Sequence, residues 1–531
     1  MTSQDADELT TPGILARAAR RHPDATAIED GSLALTFLQL EAATLDAAAA
    51  LVAAGVGRGD RVAIWAPNQA AWIVAAIGAQ TAGAAIIPLN TRLKGREAGD
   101  ILRRGRARVL VTMGEFLGTR YLDLLAAEAL PELELTVLLD GAGRDPPGAR
   151  PTVGWTEFLS RGGETSREEV LRRRAALSGS DLADIMFTSG TTGRPKGVLA
   201  AHEQNVRAFT AWSDFVGLVE GDRYLIVNPF FHAFGYKAGW LACLITGARI
   251  SPLAVFDAGA ALERIGRERI TVMPGPPTLF QTLLAHEALG RQDISSLRLA
   301  VTGAATVPPS LIEQMHSVLG FETVVTGYGL TESMGIVTMC RPGDSVERIA
   351  FTCGVPIPGV EVRCVDQQGR TVARGEPGEV LVRGYNVMRG YLDDPVATAE
   401  AIDAEGWLHT GDVGALDADG YLRITDRRKD MYIVGGFNCY PAEIEKIMAA
   451  HPGIAQVAVI GIPDPRLGEV GQAFVIRRAD AVLDEAALAA WCRDNMANYK
   501  VPRRIEFVDA LPTNAAGKVQ KFALRSGKST T

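Results

Sequence analysis

Along the first third of the chain, apolar positions fall into two alternating textures. Residues Thr11–Asp24 repeat apolar positions at helical spacing, which predicts an amphipathic helix. Ala27–Ile28 and Leu33–Thr36 read as a hairpin, with Thr36 placed to cap the next helix. Arg61–Trp65 is a short apolar strand. It is followed by a helix over 70–82, a strand over 84–88, a helix over 95–104 and a strand over 108–112. Strands alternating with helices at this spacing predict a mostly parallel sheet with helices on its faces. The apolar run Ala70–Leu89 approaches the length of a membrane span. Gln80, Thr81, Gly83 and Pro88 interrupt it, so it reads as a buried helix, a turn at Gly83 and a buried strand. Residues 141–154, rich in Pro and Gly, are expected to form a loop without regular structure.

Further strands end in small-residue or proline turns: Tyr224–Val227, Val272–Gly275, Leu299–Gly303 and Thr323–Thr326. From Gly354 the texture becomes short β segments with frequent turns, over Val360–Val365, Gly378–Arg383 and Tyr421–Thr425. Residues from about 431 onward suggest a small α/β unit. In it, helices over Pro441–Ala449 and Glu485–Met496 alternate with strands over Ile454–Ile460 and Ala473–Arg477. A chain of 531 residues exceeds one hydrophobic core, so two or more domains are expected.

Composition narrows the function classes. Hydrophobic content of 47% with 22% charged residues is that of a globular protein, and a net charge of −8 gives no electrostatic footprint for nucleic acid. The six cysteines (Cys243, Cys340, Cys353, Cys364, Cys439 and Cys492) are scattered without a C-x-x-C pair. That pattern fits a reducing compartment rather than a disulfide framework or zinc site. The acidic, polar start MTSQDADELT has the character of neither a signal nor a transit peptide, so a cytoplasmic location is expected.

The densest candidate chemistry lies in Phe187–Gly197, FTSGTTGRPKG. Thr188, Ser189, Thr191 and Thr192 supply hydroxyls, Gly190 and Gly193 free the backbone, and Lys196 closes the run with a cation. Such a loop after an apolar strand can turn its N–H groups into a nest for an anion. The hydroxyls and the ammonium then suit phosphate oxygens. The glycine spacing is not that of the P-loop. Four other segments carry chemistry. In Asn228–Gly235, His232 between aromatics reads either as a core histidine or as a wall of a ligand pocket. The small residues Gly303 and Ala304 let a flat ring approach the backbone. In Gly327–Ser333, GYGLTES, Gly327 and Gly329 are expected to set Tyr328 in a tight turn, with Thr331 and Glu332 following. Asp412 after Thr-Gly reads by itself as a turn residue, and Lys518 in a Gly-Lys turn as a solvated lysine.

Taken together and in this order, these motifs resemble the adenylate-forming superfamily, and most closely its acyl-CoA synthetases, across about 180–520. The resemblance implies an α/β fold. Residues 1–426 would form a large N-terminal adenylating domain with mostly parallel sheets and a β-rich subdomain. Residues 427–531 would form a small mobile α+β lid, with a hinge about 426–430 and Lys429 at the pivot. It implies ATP and coenzyme A as co-substrates and Mg²⁺ held by Glu332. Tyr328 would stack on adenine, Thr331 meet the α-phosphate, and Asp412 with Arg427 hold the ribose. Lys196 and Lys518 would be catalytic, with Lys521 as the neighbouring alternative to Lys518, and Gly435–Gly436 would face the pantetheine tunnel. His232, Phe234, Trp240, Gly303 and Met334 would line the acyl pocket. The stretches PFFHAFGYKAGWLACL, GPPTLFQTLL, VTGAATVP and TMCRPGD look especially like actinobacterial ligases that activate the propionate side chain left on steroid rings during cholesterol breakdown. Medium-chain and aryl acids remain open as substrates. So do a stand-alone adenylation enzyme serving a carrier protein, a luciferase-like oxygenase and a nucleotide-binding protein without chemistry. A homodimer is among the assemblies left open.

Overall fold

The computed structural model describes residues 9–141, 151–188, 195–303, 307–427, 430, 432–434, 437–439, 441–464, 467–479, 481–496, 498–513 and 519–525; the side chains of Asp426 and Arg427 are outside that description. Ser189, Gly190, Thr191, Thr192, Gly193, Ala304, Lys429, Gly435, Gly436 and Lys518 also lie outside the described residues.

Local signals set the first elements. Thr10 caps the helix Thr11–Arg21 by accepting from the Gly13 N–H at 3.1 Å. Thr36 closes the hairpin formed by Thr26–Asp30 and Leu33–Thr36, and it opens the helix Phe37–Ala53 through a reciprocal box with Gln39. The helix Ala70–Ala82 is buried almost all round and stops at Gly83, whose φ of 98° ends it in a left-handed turn. The strand Ala85–Pro88 follows, and among the described residues no helix is long and apolar enough to cross a membrane.

Two sheets carry the larger part of the chain. The seven-stranded sheet runs parallel from Thr152–Gly154 through Leu135–Leu138, Val109–Thr112, Arg61–Trp65 and Ala85–Pro88 to Leu182–Thr188. The antiparallel Lys196–Ala201 closes one edge. Thr152–Gly154 belongs to this sheet, so the last residues of the expected 141–154 loop form an edge strand. Their Val153 is buried against Val137, and the short parallel pairing outweighs the turn composition upstream. The nine-stranded sheet has a parallel centre made of Thr26–Asp30, Arg249–Pro252, Arg223–Ile226, Val272–Gly275, Leu299–Gly303 and Thr323–Tyr328. Trp72, on the buried helix of the first sheet, meets Phe230, Tyr236 and Trp240 near the second. Asn68 also links the sheets. Its amide donates to the Asn228 carbonyl at 2.9 Å and accepts from the Phe230 N–H at 2.8 Å.

Beyond Gly354 a four-stranded antiparallel sheet follows, built from Val360–Val365, Gly378–Gly384, Leu408–Leu416 and Leu422–Arg427. The last hundred residues form a five-stranded sheet around the long hairpin of Ile454–Asp464 and Gly468–Arg477. That sheet has its own buried cluster, including Ile444, Met448, Val459, Val475 and Leu488. Its helix Pro441–Ala449 packs against the strand Leu422–Arg427 of the preceding sheet, and the Lys446 ammonium sits 3.9 Å from the ring centroid of Phe351, at the end of the helix Val346–Phe351.

His202 opens the helix after the phosphate-loop hairpin and is fully buried. Its Nδ1 accepts from the Thr11 N–H at 3.3 Å, tying the first helix to this one. Burial lowers its pKa to about 4, against the opposing pull of Asp181. The depressed value means that the unfolded chain takes up the proton first. The neutral ring therefore contributes fully above about pH 6.5, and that contribution is lost as pH falls toward 4. Integrated over that window the loss is about 3 kcal/mol. Thermal melts should show an acid destabilisation between pH 6.5 and 4 that is clearly reduced in His202→Gln. Equal pH slopes for the two proteins would contradict this account.

Candidate active site

The candidate residues gather at the carboxyl ends of strands from both parallel sheets, where open α/β sheets place ligand crevices. The strand Leu182–Thr188 delivers Thr188 to the start of the glycine-rich loop. The chain returns at Lys196, which pairs with Thr188 in the antiparallel register. Lys196 is thus fixed at the loop's exit, in the first position of a strand. The outer edge of that strand is covered by 389–392: Leu199 N–H donates to Gly390 O at 3.0 Å and Leu392 N–H to Gly197 O at 2.7 Å. This pairing carries Tyr391 over the loop exit. The Lys196 ammonium lies 4.8 Å from the Tyr391 ring centroid, and the Tyr391 hydroxyl donates to Glu332 Oε1 at 2.9 Å. Burial, then the neighbouring Glu332 charge, raises the Tyr391 pKa, so its phenol stays protonated as a donor. The sequence reading missed Tyr391. Its only trace is an aromatic within RGYLDDP, a turn-like stretch whose role depends on a pairing partner nearly two hundred residues upstream.

Thr331 and Glu332 sit in a single 3-10 turn, Thr331–Ser333, and the Glu332 carbonyl accepts from the Met388 N–H at 2.8 Å. Gly327 and Tyr328 are not in the expected tight turn. They are the last residues of the strand Thr323–Tyr328, pairing with Met339 and Thr338 on one side, with Gly327 beside Gly303 on the other. Parallel and antiparallel ladders satisfy this backbone, and only at Gly329 does it leave the sheet. A Cβ on Gly329 would stand 2.3 Å from the Gly335 carbonyl, so the returning chain requires glycine there.

Tyr328 is held by its hydroxyl, which donates to Asp412 Oδ2 at 2.6 Å. Burial and then the Asp412 charge hold the Tyr328 pKa well above its ordinary value. Asp412 is 3% exposed and lies inside a strand, not in the turn that its Thr-Gly context suggests. Between Glu379–Val413 and Leu381–His409 the ladder advances two residues on one strand and four on the other, a bulge. Gly411 sits in it at φ 67°. Bulges re-aim side chains, and this one turns the carboxylate toward Tyr328. The Arg427 backbone pairs with Asp412 across the sheet.

At the acyl end, His232 caps the short turn Ala233–Gly235, its Nδ1 accepting from the Phe234 N–H at 3.2 Å. The ring remains water-accessible yet is enclosed by protein, and this desolvation lowers its pKa and favours the neutral form. Met334 is fully buried in a left-handed conformation, φ 61°. Gly335 beside it approaches Ala233, so the 232–237 segment and the 331–335 turn face each other. Trp240 is stacked on Tyr236 with centroids 4.6 Å apart. The structure therefore brings Thr188 and Lys196 together at the two ends of the phosphate loop, Glu332 to Lys196 through Tyr391, Tyr328 to Asp412, and Met334 to the His232 segment.

The residues fit a nucleotide. An aromatic face with a tethered carboxylate suits a base and its ribose, and a glycine-rich loop with a lysine suits phosphates. Glu332 is a single carboxylate, which suits a magnesium ion that draws its other ligands from substrate phosphates and water. Among the described residues no group of three or more metal-ligating side chains converges.

Comparison with known proteins places this geometry. The AMP-binding enzyme profile matches residues 15–392, and the AMP-binding enzyme C-terminal domain profile matches residues 443–518. A 3-[(3aS,4S,7aS)-7a-methyl-1,5-dioxo-octahydro-1H-inden-4-yl]propanoyl:CoA ligase of Rhodococcus jostii is 50% identical, covering 98% of this chain and 99% of the relative. The ligase of the same name from Mycobacterium tuberculosis is 52% identical with the same coverage. Among solved structures, an anthranilate CoA ligase, AuaEII, in complex with anthranoyl-AMP superposes with a TM-score of 0.85 at 31% identity, covering 97% of this chain and 96% of that one.

Proposed function

The chain belongs to the AMP-binding enzyme family, and from that premise we propose that it is an ATP-dependent acid–CoA ligase acting on a steroid-derived bicyclic propionate. The reading of the chemistry rests on one arrangement above all: Lys196 and Glu332, joined by Tyr391, stand at the exit of the phosphate loop. The reading of the substrate rests on half-identity along the full chain to two ligases named for a methyl-dioxo-octahydroindenyl propionate.

In the first half-reaction a carboxylate oxygen of the acid attacks the α-phosphorus of ATP, the bond to the β-phosphate oxygen breaks, and pyrophosphate leaves. Tyr328 supplies a flat face for the base, and Asp412 accepts from the ribose hydroxyls. Lys196 neutralises charge on the β- and γ-phosphates, and Lys518 bridges the acid's carboxylate and the α-phosphate. Tyr391 orients Glu332 by donating to one carboxylate oxygen. Magnesium, held by Glu332, would neutralise phosphate charge. Positioning and charge neutralisation are what such transfers require. In the second half-reaction the lid, residues 427–531, turns about Lys429. Gly435–Gly436 then line the approach of the CoA thiol, which attacks the acyl carbonyl carbon, loses its proton and expels AMP.

The test is release of AMP and pyrophosphate from ATP over a panel of acids, with and without CoA: the methyl-dioxo-octahydroindenyl propionate, octanoate, palmitate, coumarate and several amino acids. CoA-dependent AMP release with the bicyclic acid is the expected result. Preference for octanoate or coumarate would reassign the substrate. Pyrophosphate exchange indifferent to CoA would indicate a carrier protein as acceptor.

A further inference from the structure

Beneath the acyl-side segments lies a buried charge that the two half-reactions do not use. Lys237 is 1% exposed and Asp184 fully buried, with Nζ 3.3 Å from Asp184 Oδ1. Asp184 Oδ2 accepts from the Asn205 amide at 2.6 Å, and the Gln80 amide donates to the Tyr236 hydroxyl at 3.2 Å. Lys237 sits in a π-helical turn, Tyr236–Leu241, which is broken at Gly239 (φ −93°, ψ −106°). Turns of this kind concentrate at functional sites. The second neighbour of its ammonium is Met334 Sδ at 3.7 Å. An ammonium has three donors. Here one faces a carboxylate oxygen and another a thioether, a weak acceptor.

Burying an ammonium costs desolvation that a single carboxylate partner offsets only in part. A buried donor left with a thioether calls for an explanation in function. Met334 supplies one. Methionine is unbranched, with three side-chain torsions, and adapts its shape to what it meets. It stands between the ammonium and the turn that faces His232. Resting on the bicyclic-propionate reading above, we propose that Lys237 is a specificity-determining residue: the Met334 side chain moves aside and the Lys237 ammonium donates a hydrogen bond to a ring carbonyl of the bound acid. Asp184, held by Asn205, keeps the ammonium in place. With the propionate carboxylate directed at the phosphates, the rings lie on the side of the acyl segments and carry their carbonyls toward Met334 and Lys237.

Two acids test this: the dioxo-octahydroindenyl propionate and its ring-deoxygenated hydrocarbon counterpart, compared by kcat/KM in ATP–pyrophosphate exchange. The wild-type protein should favour the diketone at least about tenfold, because a site built to bond a substrate oxygen rejects the analogue lacking it. Lys237→Met should lower kcat/KM for the diketone about 10- to 100-fold and leave the deoxygenated acid within about threefold. Because Lys237→Met leaves Asp184 as an unpaired buried charge, the double variant Asp184→Asn/Lys237→Met carries the same test with that charge removed. An equal fall for both acids would make the pair a purely structural one and overturn the proposal. So would a wild-type preference below about threefold, which needs no variant to fold. A wild-type protein that activates neither acid would remove the substrate reading, and the proposal with it.

Discussion

Lys518→Ala should slow adenylation about 100-fold or more, the loss expected when one preorganised charge donor is taken from a developing charge. It should slow thioester formation from a supplied acyl-adenylate far less. The asymmetry follows from a site that serves two steps by moving one domain. If Lys518 reaches the α-phosphate only while the lid is in its first position, removing it leaves the second step's geometry untouched. Burst measurements of pyrophosphate, set beside single-turnover CoA transfer from synthetic adenylate, separate the two. Equal losses in both steps would sink the two-position lid. Lys521 is the control. Its ammonium is 2.7 Å from Glu445 Oε1, both groups are mostly buried, and the same carboxylate oxygen accepts from the Val459 N–H at 2.7 Å. That lysine ties the helix Lys521–Arg525 to Glu445 of the helix Pro441–Ala449, so Lys521→Ala should lower the melting temperature of the lid rather than divide the half-reactions.

What the sequence made legible was set by how local the signal was. The helix over 70–82 and its stop at Gly83 follow from a mostly apolar run and a residue free to adopt positive φ, both local facts. Thr36 with Gln39 is likewise a four-residue pattern. The hairpin around the phosphate loop could be read because an apolar strand, a hydroxyl-glycine run and a lysine stand in immediate succession. The strand ending at Tyr328 was shortened because two glycines suggest a turn. Gly327 instead lies in the ladder, paired with Gly303 and with Met339, and Gly329 makes room for the returning chain at Gly335; both depend on segments elsewhere in the chain. Asp412 looked like a turn residue for the same reason: the bulge that aims it is a mismatch between two strands and is invisible in either alone. Tyr391 and the Lys237–Asp184 pair are long-range in the same way. Lys237 and Asp184 are 53 positions apart in the numbering, and nothing in either neighbourhood announces the other.

The bulge at Gly411 also decides what replacing Asp412 should do. Its carboxylate has two oxygens, and Tyr328 occupies one of them at 2.6 Å. The tyrosine is thereby fixed beside the acid, and the carboxylate stands at the edge of the ring, where the ribose diol of a stacked nucleotide would lie. Asp412→Ala removes both functions and should raise KM for ATP about 100-fold, the sum of two charge-assisted hydrogen bonds reduced by the water that replaces them. The effect should fall mainly on KM, since the ribose hydroxyls are bound equally in ground and transition states. Tyr328→Phe removes only the tether and should cost less than about tenfold. The decisive reading is discrimination between ATP and its 2′- and 3′-deoxy forms. The wild-type protein and Tyr328→Phe should retain a preference for the intact diol, and Asp412→Ala should lose it. If Asp412→Ala still discriminates as the wild type does, the carboxylate serves Tyr328 alone, and the ribose must be held by another group, with Arg427, paired to Asp412 across the sheet, the first to replace.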